Sequence, residues 1–209
     1  MTKVSTNIVE KQAHGRDAVA EALIQATGEL LGEVGPSRMS VRDIAERAGV
    51  NKGQIHHYFG GKQALITAAV RSLAHDLYLR TQESHDASED VLAPLVLDGQ
   101  RPYLRALTRI ILDGDLELAS LEFREEISVP QLLLGVVAET RGLESPDERL
   151  RAGFAAAMAM ELGWSAFGPH IMRAVGAVDD PGVVERIRDR VAELVIEVVI
   201  SETGANTQE

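Results

Sequence analysis

The chain has 209 residues, with 21 Lys and Arg against 32 Asp and Glu and no cysteine. That length accommodates one small and one larger unit, each with its own core, and a 45% hydrophobic, 25% charged composition is that of an ordinary globular protein. The lack of cysteine excludes disulfides and thiol catalysis. No apolar run approaches the roughly 18 residues of a membrane span, and the opening MTKVSTN lacks the apolar stretch of a secretory signal, so the chain is expected in the cytoplasm.

In chain order, residues 1–11 read as a flexible tail. A helix is predicted from about Arg16 to Val34, with Val19, Leu23, Ala26, Leu30 and Leu31 inward at helical spacing. Gly35-Pro36-Ser37 ends it. Ser40 then offers an N-cap, and Asp43 adds a carboxylate where the helix dipole favours one. Ile44, Ala45 and Ala48 share one face of the helix that follows, and Ala45 is small where two helices would cross. Gly49 stands where the chain must turn at positive φ. Val50 is the expected buried residue of the turn, and Ile55 and Tyr58 give a second helix its inward stripe. Lys52, Gln54, His56 and His57 then face outward, all able to donate hydrogen bonds. Two short helices joined this way form a helix-turn-helix, a geometry that lets the second helix enter a DNA major groove. After Gly60-Gly61, Lys62 opens a long helix to about Gln82.

Further on, Glu83 to Asp90 reads as a polar loop, followed by apolar helical segments near 91–97 and 101–112. A helix over about 120–141 contains Pro130, which predicts a kink or a break. Ser145-Pro146-Asp147-Glu148 reads as a helix start with Ser145 as cap and Pro146 in the first position. That helix runs to about Val175, Gly176 through Gly182 interrupt the chain, and a last helix spans about 183–201 through Val184, Ile187, Val191, Leu194, Val195 and Val198. Residues 202–209 read as a second tail. The fold class is all-α, with about nine helices and no alternating strand pattern.

From Ser40 to Leu65 the run SVRDIAERAGVNKGQIHHYFGGKQAL resembles the DNA-binding signature of the TetR family of transcriptional regulators. Ile44-Ala45, Ala48-Gly49-Val50, Gly53, Tyr58-Phe59, Lys62 and Leu65 all match. The likeness covers roughly residues 12–70; beyond them it consists of length and helical character. One departure is His56, where the family often has tyrosine, although an imidazole still reaches a phosphate.

The resemblance implies a three-helix DNA-binding domain over 12–61 and a helical effector-binding and dimerisation domain over 62–201. It implies a ligand-responsive regulator, by default a repressor that binds a palindromic operator as a homodimer and is released by a small molecule. The alternatives are an activator without such an effector, or a helical protein-interaction module. Arg42 aligns with a family position that contacts DNA, and His57, Tyr58 and Lys62 with positions that clamp phosphates. Ser40 is a further phosphate candidate beside its capping role. Groove chemistry adds that Gln54 suits adenine, Lys52 suits guanine or phosphate, and His56 shares their surface.

Charge is divided along the chain. Residues 1–65 hold eight Lys and Arg against seven Asp and Glu, and residues 66–209 hold thirteen against twenty-five. An acidic body discourages indiscriminate adhesion to nucleic acid. The run Phe154 to Met160 is apolar nearly all round, which predicts burial on more than one side. With the final Val/Ile-rich helix it suggests a four-helix interface between two protomers. Two recognition helices about 34–36 Å apart would then meet successive major grooves.

Candidates to line an effector cavity are Tyr103, Leu104, Leu107, Ile111, Leu132, Val136, Met158, Leu162, Trp164, Phe167 and His170, with Tyr103, Trp164 and His170 as donors. Taken singly, each reads more readily as a core residue than as a pocket residue, and His170 as a satisfied or surface histidine. The expected effector is mainly apolar. No metal or cofactor is expected: His56 and His57 are adjacent and diverge on a helix, the six histidines show no i, i+4 His pair accompanied by a carboxylate as a zinc site would need, and Gly60-Gly61-Lys62 lacks the strand and first glycine of a phosphate loop. Glu125-Glu126 are likewise too close in sequence for an acid/base pair, so no enzyme is expected.

Overall fold

The structure, a computed structural model, describes residues 3–87, 102–177 and 180–201. These form ten helices and no strand: α1 (Lys3–Val34), α2 (Val41–Ala48), α3 (Gly53–Phe59), α4 (Lys62–Ala87), α5 (Pro102–Leu112), α6 (Leu116–Ala119), α7 (Leu121–Arg124), α8 (Val129–Thr140), α9 (Glu148–Ala174) and α10 (Pro181–Ser201).

The expected all-helical class holds, with several boundaries moved. α1 reaches back to Lys3, so residues 3–11 are helical. α4 continues through Ala87 and absorbs part of the expected 83–90 loop. The segment near 91–97 lies outside the described residues. The single helix expected over 120–141 is three pieces. Pro130 sits in the first turn of α8, where its missing N–H has no intrahelical acceptor to lose, so the chain breaks before it instead of kinking at it. Glu126 in that break takes φ 57°. α9 begins two residues later than expected: the cap is Asp147, whose carboxylate accepts the Leu150 N–H at 2.8 Å, and not Ser145. A carboxylate there gains from the helix dipole in a way a serine hydroxyl does not.

α1 is the central strut, packed on α2, α4 and α5, and α9 packs along α10 and α5. One apolar cluster joins Leu23, Leu31, Ile44, Ile55, Leu65, Ile66, Val70, Ile110 and Leu121. It therefore passes without interruption from the first three helices into α4, α5 and α7. A second cluster gathers Leu133, Leu150, Phe154, Val195 and Val199 from α8, α9 and α10. Each fully buried Leu or Ile stabilises by roughly 1.5–3 kcal/mol. The polar group most deeply set in α1, Thr27, donates to the Leu23 carbonyl at 2.7 Å and so enters the core satisfied.

Candidate DNA-binding surface

α2 starts on a reciprocal cap. The Ser40 hydroxyl accepts the Asp43 N–H at 3.2 Å, and the Ser40 N–H donates to Asp43 Oδ2 at 2.8 Å. Hydrogen bonding with the Ser40 side chain, then with its backbone, holds the Asp43 carboxyl below the usual carboxylate range. Two helix-end donors are thereby satisfied. α2 ends at Gly49, φ 67°, whose N–H reaches the carbonyls of Ala45 and Glu46. The Val50 N–H then bonds to the Ala45 carbonyl at 3.0 Å, and Val50 is half-buried rather than fully enclosed.

Asn51 supplies a device that sequence reading missed. Its Oδ1 accepts the Gly53 N–H at 2.9 Å, a local turn that launches α3. On α3, Ile55 is buried, while Tyr58 and Phe59 are half-buried against the same core. The opposite side is left to solvent: Lys52, His56 and His57 are exposed and Gln54 is half-buried. The His57 and Tyr58 rings meet edge to face at 5.0 Å, which fixes the orientation of one imidazole. α3 stops at Gly60, φ 75°, whose N–H bonds to the His56 carbonyl at 2.9 Å.

Ser40 and Arg42 are exposed at the start of α2. Lys62 differs from the other candidates. Its Nζ donates to the Pro36 carbonyl at 3.0 Å, so it ties the turn after α1 to the start of α4. That structural task was not expected. An ammonium has three donors, so two are free for other acceptors.

Three further ties hold this surface on its support. Arg47 is bidentate to Glu33, at 2.8 and 2.9 Å, and touches Glu29 at 3.2 Å, clamping α2 onto α1. Hydrogen bonding to Arg47 holds the Glu33 carboxyl low. Asp113, at the end of α5, accepts both the Ser37 N–H (3.0 Å) and hydroxyl (2.7 Å), which lowers its own carboxyl. Arg71 on α4 pairs with Glu125 at 2.6–2.9 Å.

The cavity candidates divide. Tyr103, Leu104, Leu107, Met158 and Leu162 line one cavity of about 40 Å³ together with Leu77, Glu122, Val129, Pro130 and Glu161. Trp164 lines a different, larger cleft. Ile111, Phe167 and His170 are exposed, and Leu132 and Val136 are half-buried on α8 without lining either space. Glu122 escaped sequence reading, because a lone acid within a helix reads as surface. It is 3% exposed. Burial pushes its carboxyl up to about 7, partly opposed by a hydrogen bond with Tyr103. Burial, then the Glu122 charge, raises the Tyr103 phenol.

A capped, glycine-turned helix pair with a donor-rich outer face, on an all-helical body, defines a helix-turn-helix DNA-binding regulator. Residues 23–69 match the family model for bacterial regulatory proteins of the tetR family. The chain is 34% identical over 166 residues to the HTH-type transcriptional repressor Rv3405c of Mycobacterium tuberculosis, covering 79% of this chain and 82% of that one. It is 49% identical over 55 residues to the HTH-type transcriptional regulator BetI 1 of Chromohalobacter salexigens, 26% of this chain and 27% of the other. A crystal structure of a tetR-family transcriptional regulator from Streptomyces coelicolor superposes with a TM-score of 0.58 at 18% identity, over 91% of this chain and 84% of that one. The chain belongs to the tetR family and is a transcriptional regulator. Among the described residues no helix is long and apolar enough to cross a membrane.

Proposed function

We propose that this regulator is a repressor that binds a palindromic operator as a homodimer in the cytoplasm and is released by a small molecule. The observation that carries the reading is the outer side of α3, where Lys52, Gln54 and His56 stand over the buried Ile55. Residues 12–61 form the DNA-reading head and 62–201 the effector-binding and dimerisation body. In that head Gln54 and Lys52 read base edges, while Ser40, Arg42, His56, His57, Tyr58 and Lys62 serve phosphates. Repression accords with the name of the Mycobacterium tuberculosis relative. The dimer uses α9 and α10, which leave Phe167 at 53% and Leu194 at 37% exposure.

The effector site is the cavity lined by Tyr103, Leu107, Met158 and Leu162. At about 40 Å³ it holds little more than water as it stands. A ligand therefore enters only by parting α4, α5, α8 and α9, and this gives the two states different affinities for it. Leu77 in the cavity wall lies on α4, the helix whose first residue is bonded to Pro36. Separation in the body is thus passed to the turn that supports α2. The Glu122 carboxyl and Tyr103 phenol offer a mainly apolar effector one polar contact.

The test is selection of bound DNA from a random pool by the purified full chain, followed by footprinting. Recovery of an inverted repeat protected on both halves is the expected result. Recovery of no enriched sequence, or of a single unrepeated site, defeats the reading.

A further inference from the structure

Four arginines from three helices line one open cleft of about 690 Å³: Arg105 and Arg109 of α5, Arg173 of α9 and Arg188 of α10, with Gly32 of α1 also in its lining. Among the described residues no carboxylate lines it, in a chain whose net charge is −11. Elsewhere the acidic excess is put to use: Arg47, Arg71, Arg124 and Arg190 each pair with a glutamate. None of the four cleft arginines makes an ion pair among the described residues. Arg105 and Arg109 act at longer range on Glu33 and Asp113, neither of which lines the cleft. Like charges gathered this way repel, and a cleft lined by one sign of charge concentrates ions of the other. Guanidinium is also the group whose planar fork suits carboxylate and phosphate.

The wall is not only charged. Trp164, Leu112 and Met172 give it apolar surface, and the Ser165 hydroxyl in the same wall has no hydrogen-bond partner among the described residues. The volume lies in the range of small-molecule sites. We infer that this cleft binds a small organic anion bearing two or more negative charges on carboxylate or phosphate groups, its apolar part lying against Trp164. This site is separate from the apolar cavity of α4, α5, α8 and α9, and its occupation needs no DNA.

Trp164 is the only tryptophan of the chain, so intrinsic fluorescence reports the cleft directly. The full chain is titrated with benzene-1,3,5-tricarboxylate and with phenyl phosphate, which separate the carboxylate from the phosphate source, and with benzamide as the uncharged control. A saturable fluorescence change is expected with at least one anion and none with benzamide. Arg173→Gln and Arg188→Gln, both at exposed positions, should each weaken that anion by about tenfold while melting as the parent chain does. No saturable response to either anion overturns the inference, as does an unchanged response in both variants. If the anions give no response and the same variants reduce the salt dependence of operator binding, the cleft serves DNA phosphates and the inference is wrong. Because fluorescence is read without DNA, failure here is distinct from failure of the operator reading.

Discussion

A side chain at position 49 would meet nothing within 4 Å, yet Gly49 holds φ at 67°. Gly49→Ala therefore costs backbone conformation alone, about 1–2 kcal/mol, read as a lowered urea midpoint with an unchanged slope. Lys62 and Lys52 are both lysines at helix starts, but they separate in their effects. Lys62→Ala removes the bond to the Pro36 carbonyl, so it should lower stability by about 1 kcal/mol and weaken binding to every DNA sequence alike. Lys52 makes no capping bond. Lys52→Ala should leave the melting temperature within error and alter which operators are chosen, a contrast visible by measuring both quantities on each variant. Glu122 gives a pH signature. Its carboxyl is raised in the folded chain from an ordinary 4.5 to about 7, so the neutral form is the one the fold prefers. Stability from this group is complete below about pH 4.5 and is lost as pH rises through 7, by roughly 3 kcal/mol. Chemical denaturation from pH 5 to 8 should show that decline, and Glu122→Gln should flatten it.

At the scale of elements, legibility followed the distance over which each interaction acts. The helix-turn-helix could be read because its determinants are local: Ser40 and Asp43 are three residues apart, and the turn needs one glycine. Asn51 acts just as locally, but an asparagine before a helix has several possible partners, so residue type alone does not specify its bond to Gly53. The bond from Ser37 to Asp113 spans 76 residues and has no signature in either segment. The same applies to Lys62, whose acceptor is a backbone carbonyl invisible to residue pattern. In the body, helical periodicity identified α5, α9 and α10, while α6 and α7 are too short to show a period. Cavity residues failed for another reason. Periodicity marks a face but does not say which of two helices the face meets, so the pattern places Trp164 and Phe167 beside Met158, whereas Trp164 lines the other cleft and Phe167 is exposed. The Ser37–Asp113 link is expected to matter for coupling: Asp113→Ala should cost about 1 kcal/mol or less in stability and reduce the change in operator affinity on adding effector, measured as the ratio of dissociation constants with and without it.

For the whole molecule, the proposed homodimer requires two recognition helices at a fixed separation, and the exposed apolar Phe167 of α9 and Leu194 of α10 are the side chains assigned to hold it. Phe167→Glu together with Leu194→Glu should convert the proposed dimer to a folded monomer, seen by analytical ultracentrifugation, and operator binding should fall steeply because half of the contact area is lost. An unchanged sedimentation coefficient would place the interface elsewhere.

The apolar cluster that runs from Leu23 through Ile44 and Ile55 into Leu65, Val70 and Ile110 has a practical corollary. The DNA-reading portion has no closed interior of its own, so it is not a cassette that can be cut out and grafted. A fragment ending at residue 61 should show the circular dichroism of a largely unfolded peptide, whereas a chimera that carries α4 and α5 along with it should keep its shape. Swapping operator preference between relatives is therefore better done by repainting the outer side of α3 than by exchanging the first sixty residues.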